Sequence, residues 1–225
     1  VAADEDTRLL YAEIKRRRTH RAGFTGLPVP ERLLDALVAE ASTEGAHLTP
    51  VRSEPAVRVL AAITCAAQEV QSQNRLLSLE LIRWARSPGS PRTDGVPAEG
   101  YPCVPRRTRP HFAQRDYTHG HPWGNDTGQF FSTSTGVVAV LTTKGDSRQD
   151  WIATGQALQR VLLHASAHGL SAAFHTQALE LSHLREFLRQ ELCSQEHLQM
   201  IMRLGITFDD TEGVRRPVTD MLEEL

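Results

Sequence analysis

A layered domain in which strands and helices surround one central helix is the fold class this sequence predicts, and three observations carry it. Residues 137–141 form a continuous apolar run of strand length, Val137, Val138, Ala139, Val140 and Leu141. After the turn-rich Lys144, Gly145, Asp146 and Ser147, residues from about 150 to 168 read as one long helix. In it Trp151, Gly155, Leu158, Leu162, Ala165 and Gly169 recur at helical spacing and share a face. Gly169 then stops the helix in a left-handed cap, and residues 171–174 resume an extended chain. Ala157, Val161 and Leu163 spread apolar surface well round the cylinder, as expected of a helix buried in a large core or between subunits.

The other elements follow in order. Leu9, Leu10 and Ile14 suit one face of a first helix, which ends in the basic run Lys15, Arg16, Arg17, Arg18, Thr19, His20 and Arg21. Cations there oppose the negative pole of the helix dipole, so the run alone needs no ligand. Pro28 and Pro30 open a second helix whose inner stripe is Pro30, Leu33, Leu34, Leu37, Val38 and Ala41. Residues 47–51 are a short candidate strand, weakened by Pro50. Val57, Leu60, Ala61 and Thr64 face inward from a helix over 55–73, and Leu77, Leu81 and Trp84 are expected to be buried from a second helix over 76–86. Leu181, Leu184, Phe187 and Leu188 mark a later helix, residues 198–204 the last strand, and 214–218 an extended arm before a short acidic helix.

Residues 87–135 break every period. They hold seven of the twelve prolines, yet also Tyr101, Phe112, Tyr117, Trp123, Phe130 and Phe131. A flexible linker is not so aromatic, so the expectation is an ordered excursion within a single domain over residues 1–225. It reads equally as a lid over a site and as a loop packed on a neighbouring subunit.

A net charge of −2 argues against a nucleic-acid binder, and no apolar run approaches the roughly 20 residues a membrane span needs. Cys65, Cys103 and Cys193 are far apart without CxxC spacing, and no charged-then-apolar leader pattern opens the chain, which points to a reducing, cytoplasmic home. His164 and His168, with His119, His121 and Cys103 in the excursion, make zinc conceivable, but the first pair lacks the glutamate of a zincin and isolated histidines are usually polar surface, so no metal is expected. The serine-hydrolase elbow, the Rossmann fingerprint and the P-loop are all missing. Arginine remains, near the start at Arg17, Arg18 and Arg21 and near the end at Arg215 and Arg216. Guanidinium groups grip phosphate by paired hydrogen bonds, so two such groups brought together would hold a phosphomonoester.

The segment Arg17, Arg18, Thr19, His20 and Arg21, followed by the Pro-Val-Pro helix start, resembles the RRSxR opening of the flavin-dependent nitroreductases. Gly169, Leu170 and Ser171 resemble the turn after that family's interface helix, and Arg215, Arg216 and Pro217 its C-terminal arm. Residues 80–84, 94–97 and 176–180 resemble the Acg-like, actinobacterial FMN-binding branch, and the match runs in order over 15–220. The resemblance implies an α+β, nitroreductase-like three-layer fold: a central mixed sheet flanked by helices, with a long central interface helix.

It also implies FMN, its phosphate held by Arg17, Thr19 and Arg21 with Arg18 between them and Arg215 and Arg216 returning from the C-terminus. Backbone N–H groups at Thr176 and Gln177 would lie by flavin N5, and hydride would pass from NAD(P)H through the flavin to a small-molecule acceptor such as a nitroaromatic or quinone. Where the family carries an N-x-Q-P-W segment of amide side chains, this chain reads Ala46, His47, Leu48, Thr49, Pro50 and Val51. Acg-like proteins resemble two fused halves and this chain the second, so the implied assembly is a homodimer or a pseudo-dimer with an N-terminal half. Two alternatives stand beside turnover: an FMN-sequestering protein closed by its lid, and a degenerate flavin-free subunit.

Overall fold

The computed structural model describes residues 4–103, 108–109, 112–115, 117, 123–124, 133–208 and 216–222. Strand β1 (His47–Pro50) pairs with β2 (Val137–Thr143), which pairs with β4 (His197–Gly205), which pairs in turn with β3 (Ser171–Phe174). The order is β1-β2-β4-β3 and every neighbour is antiparallel. Pro50, which has no N–H to give a ladder, is tolerated because β1 is an edge strand. Beyond β3, Thr19 bridges Ala172 in parallel and the His20 N–H donates to the Ala172 carbonyl at 2.8 Å. The four named strands are thus antiparallel throughout, and the parallel Thr19–Ala172 bridge lies at the outer edge of β3.

Alternation along β2 sends Ala139 and Leu141 to one face and Val138 and Val140 to the other, so each face has its own core. On the first, α2 (Glu31–Thr43) contributes Leu34 and Leu37, and α5 (Arg148–Ala167) contributes Val161 and Leu162. On the second, α3 (Glu54–Ser72) contributes Leu60 and Ala61, and α6 (Ser182–Glu191) contributes Leu188. Fully burying one such leucine stabilises by roughly 1.5–3 kcal/mol. The result is three layers, helix on sheet on helix.

The ends of α5 are set locally. Ser147 and Asp150 form a reciprocal capping box at its start, and Gly169, at φ 75°, lets the chain turn back into β3. In the β2–α5 connection, Asp146 Oδ1 accepts from Trp151 Nε1 at 2.7 Å, Arg185 Nη2 at 2.8 Å and Gln199 Nε2 at 3.1 Å. Partial burial pushes this carboxyl up, but the bonds from Trp151, Gln199 and Arg185 outweigh it and hold it down at about 2. A depressed carboxyl stabilises the fold above the unfolded value near 3.9 and loses that contribution as pH falls toward 2. Asp146→Asn is therefore expected to be less stable than the parent in urea at pH 7, with the gap closing between pH 4 and pH 2. A gap that does not change with pH would contradict this.

Three apolar faces depart from expectation. In α1 (Glu5–Arg16) the buried residue is Glu13, which accepts from the Ser166 hydroxyl of α5 at 2.5 Å and pairs with Arg16 at 3.2 Å. That contact turns Leu9 and Ile14 outward. In α4 (Arg75–Trp84) no residue is buried: Leu77 and Leu81 are half-covered and Trp84 is exposed, because the helix rests on α3 and lies outside the sheet layers. Along α5 the expected stripe is buried at Leu162 and Ala165 and partly at Leu158, but Trp151 is 52 % exposed, Gly169 is exposed and a side chain added at Gly155 would meet open space. The terminal helix is a short 3₁₀ turn, Val218–Met221.

Candidate functional site

The basic segment after α1 is laid along the outer edge of β3 by the Thr19–Ala172 bridge. Arg17, Arg18, Thr19 and Arg21 are all partly buried there. Arg21 Nη1 donates to the Thr19 carbonyl at 3.2 Å, and its guanidinium lies 5.7 Å over the ring of Tyr117. Tyr117 in turn sits 5.6 Å from Tyr101, which is buried with its hydroxyl on the Arg86 carbonyl at 2.9 Å. The excursion therefore packs against the basic segment, through residues the sequence reading placed in a possible lid.

The chain leaving β3 supplies the other wall. Thr176 donates its hydroxyl to Glu180 at 3.3 Å, and Gln177 opens a short 3₁₀ turn (Gln177–Glu180) while only 2 % exposed. Gln177 Nε2 donates to Gln68 Oε1 at 3.2 Å, and Gln68 Nε2 to the Gln114 carbonyl at 3.1 Å. Phe112, fully buried in the second core, places its ring 4.9 Å from that of His175.

One residue joins these walls. Arg203 of β4 is 1 % exposed; its Nε donates to His175 Nε2 at 2.7 Å, its Nη1 to the Thr135 carbonyl at 3.3 Å and its Nη2 to the Ala22 carbonyl at 3.2 Å. Phe24 and Phe112 present ring faces to it at 5.2 and 5.9 Å. No carboxylate pairs with it among the described residues. Burial accordingly pulls the guanidinium down to about 9. Burial, then the charges of Arg203 and Arg115, hold His175 well below its ordinary value, so the imidazole is neutral.

Of the C-terminal arginines, Arg216 stands apart from the basic segment. Arg216 pairs with Asp94 of the excursion at 3.2 Å and touches Met221 Sδ at 3.7 Å, rather than meeting the basic segment. Arg215, Phe130, Phe131, His119 and His121 lie outside the described residues. His164 and His168 stack at 4.8 Å, and no group of three or more metal-ligating side chains gathers among the described residues. No described helix is long and apolar enough to cross a membrane.

Of the residues singled out from the sequence, Arg17–Arg21 lie along the outer edge of β3 and Thr176 and Gln177 follow its end, whereas His175, Arg203, Gln68 and Phe24 were not among them. A signal for Arg203 existed: it is a charge inside the apolar run Met200, Ile201, Met202 and Leu204. His175 and Gln68 offered none, being a lone histidine and a lone amide.

The sequence pattern described as "Nitroreductase family" matches residues 14–206. The chain belongs to the nitroreductase family. A Mycobacterium tuberculosis relative named "Putative NAD(P)H nitroreductase" is 27 % identical over 207 residues, covering 91 % of this chain but 58 % of its own length. The chain thus spans somewhat more than half of that longer nitroreductase relative. Among solved structures, a nitroreductase with bound FMN from Desulfitobacterium hafniense matches at TM-score 0.53 and 14 % identity, over 96 % of this chain and 98 % of that one. A nitroreductase-like family protein from Bacillus cereus matches at TM-score 0.53 and 18 % identity, over 100 % and 98 %. These likenesses show the nitroreductase fold, in accord with the three layers described above.

The residues present fit an FMN. Three arginines on one edge segment suit a phosphate, and the turn at 175–177 holds a buried donor nitrogen, His175 Nδ1, and a buried acceptor oxygen, Gln177 Oε1, that have no partner among the described residues.

Proposed function

We propose that the chain is an FMN-binding oxidoreductase of the nitroreductase type, from its Acg-like branch, using NAD(P)H as reductant and a nitroaromatic or quinone-like acceptor. The observation that carries this reading is the Arg203 bridge, which ties the basic segment at Ala22 to the post-β3 turn at His175. Arg17, Thr19 and Arg21, with Arg18, would hold the phosphate, and the backbone at Thr176 and Gln177 would face the redox end. Bound FMN supplies the hydride chemistry; the protein's part is to bind it, orient it and tune its electronics. Support for the cofactor comes from family membership and from FMN-bound structural neighbours.

The outward-facing Leu9 and Ile14 of α1 and Trp151 and Ile152 of α5 support pairing through these two adjacent helices. The partner is a second copy or, since the mycobacterial relative is longer, an N-terminal half.

A second reading, FMN storage with little turnover, is favoured by one observation: Phe112 is fully buried on His175 while Tyr117 lies beneath Arg21, so the excursion closes over both walls. Steady-state NAD(P)H oxidation by the FMN-loaded protein, with a panel of nitroaromatics and quinones, separates the two. Turnover that scales with acceptor concentration supports the oxidoreductase. Bound FMN that stays oxidised in excess NADPH and NADH supports storage.

A further inference from the structure

Two buried polar atoms beside Thr176 have no hydrogen-bond partner among the described residues: His175 Nδ1 and Gln177 Oε1. Neighbouring bonds decide which is donor and which acceptor. Arg203 has only donors, so His175 Nε2, 2.7 Å from Arg203 Nε, must accept, and the neutral ring carries its hydrogen on Nδ1. Gln68 Nε2 gives its hydrogen to the Gln114 carbonyl, which leaves Gln68 Oε1 to accept from Gln177 Nε2. Gln177 Oε1 is then the open acceptor. The turn thus offers one N–H donor and one carbonyl acceptor, two residues apart, on side chains 3 % and 2 % exposed.

Buried polar groups are rarely left unmatched in proteins, and an unmatched donor two residues from an unmatched acceptor in one turn can be matched together by a group presenting both an acceptor and a donor. An imide edge, C=O next to N–H, is such a group. In an isoalloxazine that edge occurs only on the pyrimidine ring; the dimethylbenzene end and the ribityl chain lack it. We infer that His175 Nδ1–H and Gln177 Oε1 are the receptor for the imide edge of a flavin. This takes over the work of the amide side chains that the 46–51 stretch lacks, and it rests on the FMN reading above. Neither atom is open to solvent, so a ligand reaches them only when a covering group moves. Phe112, whose ring lies 4.9 Å from that of His175, and Gln114, whose carbonyl holds Gln68, are described neighbours of these side chains.

The test is titration of the apo-protein with FMN and with N3-methyl-FMN, followed by quenching of flavin fluorescence. The methyl group removes the donor meant for Gln177 Oε1, so wild type is expected to bind the analogue about tenfold more weakly or worse. Gln177→Leu is expected to bind FMN about tenfold more weakly and to lose the preference between the two ligands. Equal binding of both ligands by wild type overturns the inference and leaves the FMN reading standing, and this comparison needs no variant. A preference that survives in folded Gln177→Leu also overturns it, since simple crowding would then explain the analogue. Failure of wild type to bind FMN at all removes both the inference and the reading beneath it.

Discussion

Arg203→Met is expected to lower folding stability by about 2–4 kcal/mol, the largest effect of any single substitution considered for this chain. Methionine approximates the volume but donates nothing. His175 Nε2 and the carbonyls of Thr135 and Ala22 would lose the donor they now share, and the faces of Phe24 and Phe112 would lose their cation. Removing a buried charge relieves its own desolvation, which keeps the expected loss below the sum of three orphaned acceptors. Urea unfolding at pH 7.5 measures it, and a loss under about 0.5 kcal/mol would contradict the hub role.

The variant also changes the response to acid. A histidine held neutral in the fold is protonated first in the unfolded chain, so it destabilises as pH falls below the unfolded value near 6.5. Burial remains in Arg203→Met but the repelling charge is gone, so the decline with falling pH should level off at a higher pH than in the parent.

Loss of Arg17 or Arg21 is expected to weaken FMN binding by about 1.5–3 kcal/mol, roughly tenfold to more than a hundredfold, because each removes a charge-assisted pair to phosphate. Riboflavin, which has no phosphate, provides the control: its affinity should be the same in Arg17→Ala, Arg21→Ala and wild type. Equal weakening for both ligands would mean that the substitutions disturb the edge segment rather than a phosphate contact. Arg216→Ala should have a smaller effect, since that guanidinium is engaged by Asp94, which also holds Arg92 at 2.8 Å.

What was legible in the sequence was local or periodic. Ser147, Asp150 and Gly169 announce the ends of α5 because caps depend on neighbours within four residues, and the stripe of α2 announces its buried face. Periodicity reports that a helix has an apolar side, not that the chain will cover it. Trp84 and Trp151 illustrate the difference: both lie on apolar stripes, and both are exposed. α1 shows the reverse case, where a carboxylate, Glu13, is the inward residue because a hydroxyl 153 positions away donates to it.

The site followed the same rule. Arg17–Arg21 were visible as a contiguous motif, whereas the Arg203 unit joins residues separated by 28, 68 and 181 positions, and no spacing rule connects them. The resemblance to the nitroreductases singled out Thr176 and Gln177, which follow the end of β3, but it gave no hint that the side chain between β3 and Thr176 is a neutral histidine facing a buried guanidinium.

Whether this chain holds FMN against its basic segment and the post-β3 turn decides between the readings. The direct measurement is the visible absorption spectrum of the purified protein after incubation with FMN and removal of free ligand on a desalting column. The account predicts that the two visible flavin bands co-elute with the protein at one FMN per chain, and that the yield falls sharply in Arg17→Ala. A folded protein that elutes colourless after incubation with millimolar FMN would contradict it.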